Sequence, residues 1–239
     1  MAHLVRSRAV SALVLAFVTP ILLAGCGAEE KKADEESPAE VMATAKKHFD
    51  DASSVHIALS TESTPSAGNG VLAATGDITH DPAFKGDVKV VIEGFGATAT
   101  VPITSVGGKV YAKLPFQTKN AVIDPAEYGA PNPADFADPE NGLSGLLTKL
   151  EDLEKGEEKR VGDIIVTTYT GTLPGTAVKK IIPSAVAKET YETEIGVDDD
   201  GFATTVKVTG PFFTGNDDVT YDVKLTDYDK GVEITAPAA

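Results

Sequence analysis

The chain has 239 residues, and 36 acidic residues against 21 lysines and arginines give it a net charge of −15 at pH 7. A chain this acidic repels the phosphates of DNA, RNA and anionic lipid headgroups, so the composition argues against a nucleic-acid-binding protein. A single cysteine, Cys26, leaves no disulfide framework and no cysteine-based zinc or redox site.

Residues 1–25 have the pattern of a lipoprotein signal peptide. Arg6 and Arg8 stand in a head without acidic residues, and an apolar run follows up to residue 23. This run is too short for a transmembrane helix of about 20 residues, but it suits a secretory signal. It ends in a sequence that resembles a lipobox, formed by Leu23, Ala24, Gly25 and Cys26. The motif predicts cleavage before Cys26 and lipid attachment to its thiol, at the outer face of the cell membrane. An ordinary secretory cysteine is the alternative.

Residues 26–36 are small and charged, so they are predicted to form a flexible acidic tether after the lipidated cysteine. A single folded domain is predicted over residues 37–239, and it should open with a helix. Ser37 and Glu40 have the spacing of a capping box at the start of this helix. The apolar positions of the helix recur every four residues, at Val41, Ala45 and Phe49.

Five strands are predicted next, because apolar and polar residues alternate along them. They cover residues 55–59, 71–79, 87–93, 97–106 and 109–114. One face of the third strand carries Val88, Val90 and Ile92. The opposite face carries Asp87, Lys89 and Glu93. Such one-sided strands are typical of an antiparallel sheet with one face in water.

The middle of the chain interrupts this rhythm. Residues 115–139 are rich in Pro, Asp, Asn and Ala and are predicted to form an irregular excursion. A leucine helix should follow, with a stripe at Leu143, Leu146, Leu147, Leu150 and Leu153. The chain then continues with a strand at 159–171, a helix at 175–182, and strands at 188–197, 202–209, 219–227 and 232–235. This order predicts an α+β fold, a curved antiparallel sheet with helices packed on its concave face.

Patterns that carry catalysis or bind metal are scarce. The mature chain contains only the histidines His48, His56 and His80, and it lacks Gly-x-Ser-x-Gly, His-Glu-x-x-His and phosphate-binding glycine motifs. The Asp-Asp-Asp-Gly run at 198–201 lacks the spaced ligands of a calcium loop and fits a turn between strands. We therefore expect no catalytic residues, no bound metal and no cofactor.

The inward positions of the predicted sheet are mostly small aliphatic side chains, and aromatic residues make up 6% of the chain. A wide sheet lined in this way permits an apolar hollow for acyl chains, since each buried CH₂ contributes about 0.8 kcal/mol. The predicted lining consists of Val55, Ile57, Leu59, Leu72, Val88, Val90, Ile92, Val101, Val110, Leu143, Leu146, Leu147 and Leu150. The alternative is that the leucine helix fills an ordinary core.

Four stretches carry a family resemblance in a fixed order, at residues 43–59, 74–90, 107–113 and 133–143. The most specific is Pro-Ala-Asp-Phe-Ala-Asp-Pro at 133–139, which leads into the leucine helix. With the lipobox, these stretches make the chain similar to the LppX/LprAFG family of mycobacterial and related actinobacterial lipoproteins. Residues 182–210 match this family only loosely.

The resemblance implies a half-barrel of antiparallel strands, covered by helices, around a large hydrophobic cavity. It also implies a carrier that moves acylated lipids or glycolipids across the cell envelope, with a membrane lipid exporter as a partner and no enzymatic activity. The leading hypothesis is therefore a membrane-anchored lipid carrier. The alternative is a lipid-anchored structural or interaction protein with a filled core. A void of several hundred Å³ under the leucine helix favours the carrier, whereas a Ser-His-acid cluster in a pocket would favour a hydrolase.

Overall fold

One open antiparallel sheet of eleven strands dominates the described part of the protein. The computed structural model describes residues 36–66, 68–91, 98–114, 117–213 and 218–238. The strands are β1 (Ser54–Ser60), β2 (Gly70–Thr79), β3 (Ala83–Val91), β4 (Thr98–Val106), β5 (Lys109–Ala112), β6 (Ala121–Ile123), β7 (Glu151–Val161), β8 (Ile164–Pro174), β9 (Thr190–Asp198), β10 (Ala203–Gly210) and β11 (Val219–Thr226). The α-helices are α1 (Pro38–Asp51), α2 (Leu143–Leu147) and α3 (Gly175–Ile181), and short 3₁₀ helices cover Pro125–Tyr128 and Pro133–Ala137.

The order of the strands explains why the sheet stays open. The first strand, β1, pairs with the last, β11, and this pair joins the two halves of the sheet. The consecutive strands β6 and β7 do not pair with each other and instead form the two edges. Residues 124–150, here called the roof segment, therefore cross from one edge to the other. Within this segment, the 3₁₀ helix Pro133–Ala137 contacts β2, β3 and β4, and α2 contacts α1 and α3.

The connections differ between the two ends of the sheet. Short turns at 80–82, 107–108, 162–163 and 199–202 lie at one end. Longer connections at 61–69, 113–120, 175–189 and 211–218 lie at the other, here called the long-connection end. Helix α3 belongs to one of these longer connections, the one between β8 and β9.

Helix α1 begins where the sequence predicts. The Ser37 side chain accepts a hydrogen bond from the Glu40 N–H at 3.3 Å, and the Glu40 carboxylate accepts one from the Ser37 N–H at 2.8 Å. This reciprocal pair is the predicted capping box. Hydrogen bonds from Ser37 hold the pKa of the Glu40 carboxyl below its usual range.

Two groups of buried side chains form the core. The first lies under α1 and includes Met42, Phe49, Val55 and Ile195. The second lies nearer the long-connection end and is rich in aromatic residues, namely Tyr191, Tyr221, Phe212 and Phe213. The predicted α+β class and open antiparallel half-barrel are thus confirmed, with few helices on the sheet.

Three predicted elements are wrong in extent. The leucine helix ends at Leu147, because residues from Glu151 onward pair with β8 as a strand. The strand predicted at 159–171 is a hairpin of β7 and β8 that turns at Gly162, where a positive φ of 61° suits glycine. Residues 232–235 form no strand, although the structure describes them.

Candidate ligand cavity

A cavity of about 190 Å³ lies between the sheet and the roof segment. Its sheet wall comes mainly from β1 to β5, and its opposite wall comes from the roof segment and residues 181–184. None of the described residues that line it carries a charge. The volume is smaller than the several hundred Å³ expected for a carrier.

Strand alternation creates the sheet wall. On β3, Val88 and Val90 line the cavity and are half-buried, while the intervening Lys89 is exposed on the other face. Val88 lies opposite Ala74 of β2 and Val101 of β4, which line the same cavity. The wall therefore extends laterally across neighbouring strands as a continuous aliphatic surface.

Two glycines let an aromatic ring form part of this wall. Gly76 and Gly86 lie opposite each other on β2 and β3. A Cβ atom on either glycine would come within 2.9 Å of the Phe84 ring, and closer still to the facing backbone. Because both residues lack a side chain, Phe84 can lie against the strands; it is 1% exposed and lines the cavity.

The roof side of the cavity is built from prolines and aromatic residues. Pro125, Tyr128 and Pro131 follow the β6 edge, and Pro133 and Phe136 come from the second 3₁₀ helix. The Ser105 hydroxyl of β4 donates a hydrogen bond to the Asn132 side chain, which ties this stretch to the sheet. The roof segment is thereby held over strands with which it does not pair.

Residues 182–186, here called the mouth loop, follow α3 and are held by hydrogen bonds from the Lys179 and Tyr191 side chains. Ile182, Pro183 and Ser184 of this loop line the cavity. The Lys179 ammonium donates to the Pro183 carbonyl at 2.9 Å. The Tyr191 hydroxyl accepts a hydrogen bond from the Val186 N–H at 2.6 Å and donates one to the Pro211 carbonyl at 3.0 Å.

Tyr221 lines the cavity, and its polar hydroxyl group is satisfied by a hydrogen bond. Its hydroxyl donates a hydrogen bond to the Val71 carbonyl at 2.5 Å. Burial raises the pKa of the Tyr221 phenol well above its usual range, so the group stays neutral under physiological conditions. The ring therefore adds apolar surface to the cavity and no charge.

A second cavity of about 70 Å³ adjoins the first, between α2, α3 and strands β8 to β11. The two cavities share six lining residues: Leu59, Leu143, Ile181, Ile182, Tyr221 and Val223. The described interior is therefore hollow in two neighbouring places rather than uniformly packed.

The structure places the predicted lining residues in four groups. The larger cavity is lined by Ile57, Leu59, Val88, Val90, Val101, Val110 and Leu143. The smaller cavity is lined by Leu59, Leu143, Leu146 and Leu147. Ile92 lies outside the described residues. Val55, Leu72 and Leu150 line neither cavity.

These last three positions lie outside the two cavities for separate reasons. Val55 is fully buried and packs in the core under α1. Leu72 is the extra residue of a bulge in the pairing of β2 with β3, which shifts the alternation so that Val71 and Ala74 line the cavity instead. Leu150 follows the end of α2 and packs against both core clusters.

Sequence reasoning missed most of the roof side. The prolines and Tyr128 of the roof segment have no periodic pattern, so nothing in their spacing indicates a cavity wall. The mouth loop lies in the stretch that matches the family loosely. The one available signal was the combination of apolar rings and prolines in an excursion otherwise rich in polar residues.

The histidine and aspartate side chains that could suggest catalysis or metal binding do not line the cavities. His56 contacts Asp77 at 2.7 Å and Thr75 at 3.2 Å across β1 and β2, but none of the three lines either cavity. The Asp198 side chain accepts hydrogen bonds from the N–H groups of Asp200 and Phe202, as in a turn.

Within the described ranges, no three His, Cys, Asp or Glu side chains gather in a way that could hold a metal. No helix in these ranges is long and apolar enough to span a membrane.

The fold and cavity define a class of protein, an open antiparallel half-barrel whose helical and irregular cover encloses apolar space. The chain belongs to the LppX_LprAFG lipoprotein family, whose family model matches residues 37–235. It is 28% identical to the lipoarabinomannan carrier protein LprG of Mycolicibacterium hassiacum, in an alignment covering 96% of this chain and 98% of that protein.

Two solved structures share the fold. The crystal structure of LprF from Mycobacterium bovis superposes with a TM-score of 0.70 at 15% identity, over 84% of this chain and 97% of that one. Lipoprotein LppX from Mycobacterium tuberculosis gives a TM-score of 0.61 at 18% identity, over 83% of this chain and 98% of that one.

Proposed function

We propose that this protein is a membrane-anchored carrier that binds acylated lipids or glycolipids in its larger cavity and moves them across the cell envelope. The observation that carries the proposal is the uncharged, largely aliphatic lining of that cavity. Such a lining gives no group that could bind a polar ligand tightly or activate a substrate. It suits acyl chains, for which each buried CH₂ contributes about 0.8 kcal/mol.

The similarity to LprG, a lipoarabinomannan carrier protein, supports carriage rather than catalysis. A glycolipid headgroup needs water and polar partners, so it would stay outside while its acyl chains occupy the cavity. The lining contains only a few polar side chains, among them Asn69 and Ser184. A cargo of this class is therefore held mainly by its chains, and its headgroup is free to meet a membrane lipid exporter or an acceptor.

The volume of the larger cavity constrains how loading proceeds. A lipid with several acyl chains is larger than 190 Å³, so we infer that binding moves the roof segment or the mouth loop away from the sheet. Neither segment pairs with a strand along its length, so this movement would leave the ladder of the sheet intact. The larger cavity would then widen at the wall made of 3₁₀ helices and loops.

Anchoring belongs to the same proposal. Residues 1–25 would act as the signal peptide, Cys26 would carry the lipid, and residues 26–36 would form the tether below the domain. Residues 1–35 lie outside the described residues, and the lipobox sequence supports this assignment. The protein would thus work at the outer face of the cell membrane.

Native mass spectrometry tests the proposal on an unlipidated form that lacks residues 1–26, purified from an actinobacterial host. We expect co-purified acylated lipid at a defined stoichiometry. A protein that is consistently empty, and that also takes up no lipid from vesicles of the host's own lipids, would contradict carriage. That result would favour the lipid-anchored structural protein, which the small cavity volume also fits.

A further inference from the structure

The two cavities are separate apolar spaces that lie next to each other and share part of their lining. Leu59 and Val223 of the sheet face Leu143 of α2 and Ile181 at the end of α3, and all four line both cavities. Most of the residues shared by the two cavities are therefore aliphatic, and their side chains have several rotamers. Rotamer changes of these side chains could join the two spaces without any change in the fold.

The smaller cavity is chemically suited to hydrocarbon. Its three hydroxyl groups are paired, since Ser144 donates to Asp50 at 2.5 Å, Thr193 donates to the Tyr191 carbonyl at 3.2 Å and Tyr221 donates to the Val71 carbonyl at 2.5 Å. No lining residue is charged. A cavity without unpaired polar groups gives water no partners and stays dry. Its 70 Å³ has room for a few methylene groups, if each takes about the space of a water molecule, roughly 30 Å³.

We propose that the smaller cavity receives the methyl end of one acyl chain that enters through the larger cavity. This inference rests on the proposed function and adds chain-length selection to it. Leu146 and Val206 are two of the eleven residues that line the smaller cavity and not the larger one. Together with the other residues of this set, they limit how long a chain is buried completely.

The proposal predicts a specific dependence of affinity on chain length. Each added methylene raises affinity about fourfold while it becomes buried. Once the chain reaches the wall formed by Leu146 and Val206, further methylenes stay outside or strain the wall, so the increase stops. A simple surface groove would give no such limit that depends on these residues.

The test uses saturated monoacylglycerols from octanoyl to palmitoyl, titrated calorimetrically into delipidated protein that begins at Glu36. Residues Glu36–Ala239 form one compact unit that contains both core clusters, so this form keeps the cavities. Val206→Phe fills the smaller cavity and should stop the increase at a shorter chain, with the affinity for the shortest probes unchanged. Leu146→Ala enlarges the same cavity and should move the limit to a longer chain.

Val122→Phe is the matched control, because Val122 is 61% exposed on edge strand β6 and lines neither cavity. It should reproduce the wild-type profile. If Val206→Phe fails to fold, the shift in Leu146→Ala decides the matter alone. An unchanged limit in Leu146→Ala would overturn the inference while leaving lipid binding in place. Absence of binding by any probe, together with an empty protein in native mass spectrometry, would overturn the proposed function as well.

Discussion

Val88 occupies a position where lipid binding and core packing predict opposite effects of added bulk. It lines the larger cavity between Ala74 and Val101 and is half-buried rather than fully packed. Val88→Trp should therefore place the indole in empty space and lower the amount of co-purified lipid. The thermal unfolding midpoint should stay nearly unchanged, whereas overpacking a filled core costs about 1–3 kcal/mol.

The comparison for this variant is Val166→Trp. Val166 is 1% exposed and lines neither cavity, so the same insertion there should lower the unfolding midpoint clearly. Lipid content by mass spectrometry and thermal unfolding by circular dichroism are the two measurements. Unfolding of Val88→Trp, or unaltered lipid loading, would show that the ligand does not occupy this wall.

Single positions also show where sequence reasoning reaches its limit. The direction of Val88 follows from alternation alone, because Lys89 must remain in water. The direction of Leu72 does not, because a bulge inserts one residue into β2 and reverses the alternation from that point. Nothing in the local pattern around Leu72 marks this bulge, which depends on how β2 pairs with β3.

Tyr191 links three elements near the cavity, and its hydroxyl offers a test of the mouth loop. Removing the hydroxyl in Tyr191→Phe leaves the Val186 N–H and the Pro211 carbonyl without this partner. Unsatisfied buried groups of this kind cost about 1–3 kcal/mol. We expect lower stability in urea and faster transfer of bound lipid to acceptor vesicles, because the mouth loop opens more easily.

Tyr228→Phe separates these two effects. The Tyr228 hydroxyl donates to the Ala203 carbonyl at 2.6 Å, at the end of the sheet opposite the long connections, and Tyr228 lines neither cavity. Its removal should lower stability without changing the transfer rate. Equal transfer rates in both variants would indicate that the mouth loop does not control lipid release.

At the scale of whole elements, local signals decide which predictions are correct. Helix α1 has a capping box and a buried stripe, and both are contained within a few residues. Strand β7 has neither, because nearly all of its side chains are exposed and charged. Only its pairing with β8 makes it a strand. The spacing of Leu150 and Leu153 fits a helix, so the pattern predicts the wrong element here. Edge strands of this kind are the hardest to predict from pattern.

The architecture of the described sheet follows from one long-range strand pairing. Pairing of β1 with β11 brings the two halves together, and the edges β6 and β7 are left for the roof segment to connect. Alternation predicts the sheet and its apolar face, but it cannot predict the path of residues 124–150. The size of the cavity depends on that path, so the sequence permits a hollow without determining its volume.

The final prediction concerns how the whole molecule stays at the membrane. The chain carries a net charge of −15, which repels anionic headgroups, and removal of the signal peptide with Arg6 and Arg8 makes it more acidic still. The lipid on Cys26 would then provide all of the attachment. Cys26→Ala should abolish lipidation and processing, so that no mature form is attached to membranes, while Lys32→Ala in the tether should change neither. Because the described domain starts at Glu36, the urea midpoint of the protein purified without its signal peptide should be the same in both variants. Fractionation of cells, with high salt as a further condition, gives the measurement. Salt should not release the wild-type protein, and unchanged membrane attachment of a normally processed Cys26→Ala variant would show that the lipobox assignment is wrong.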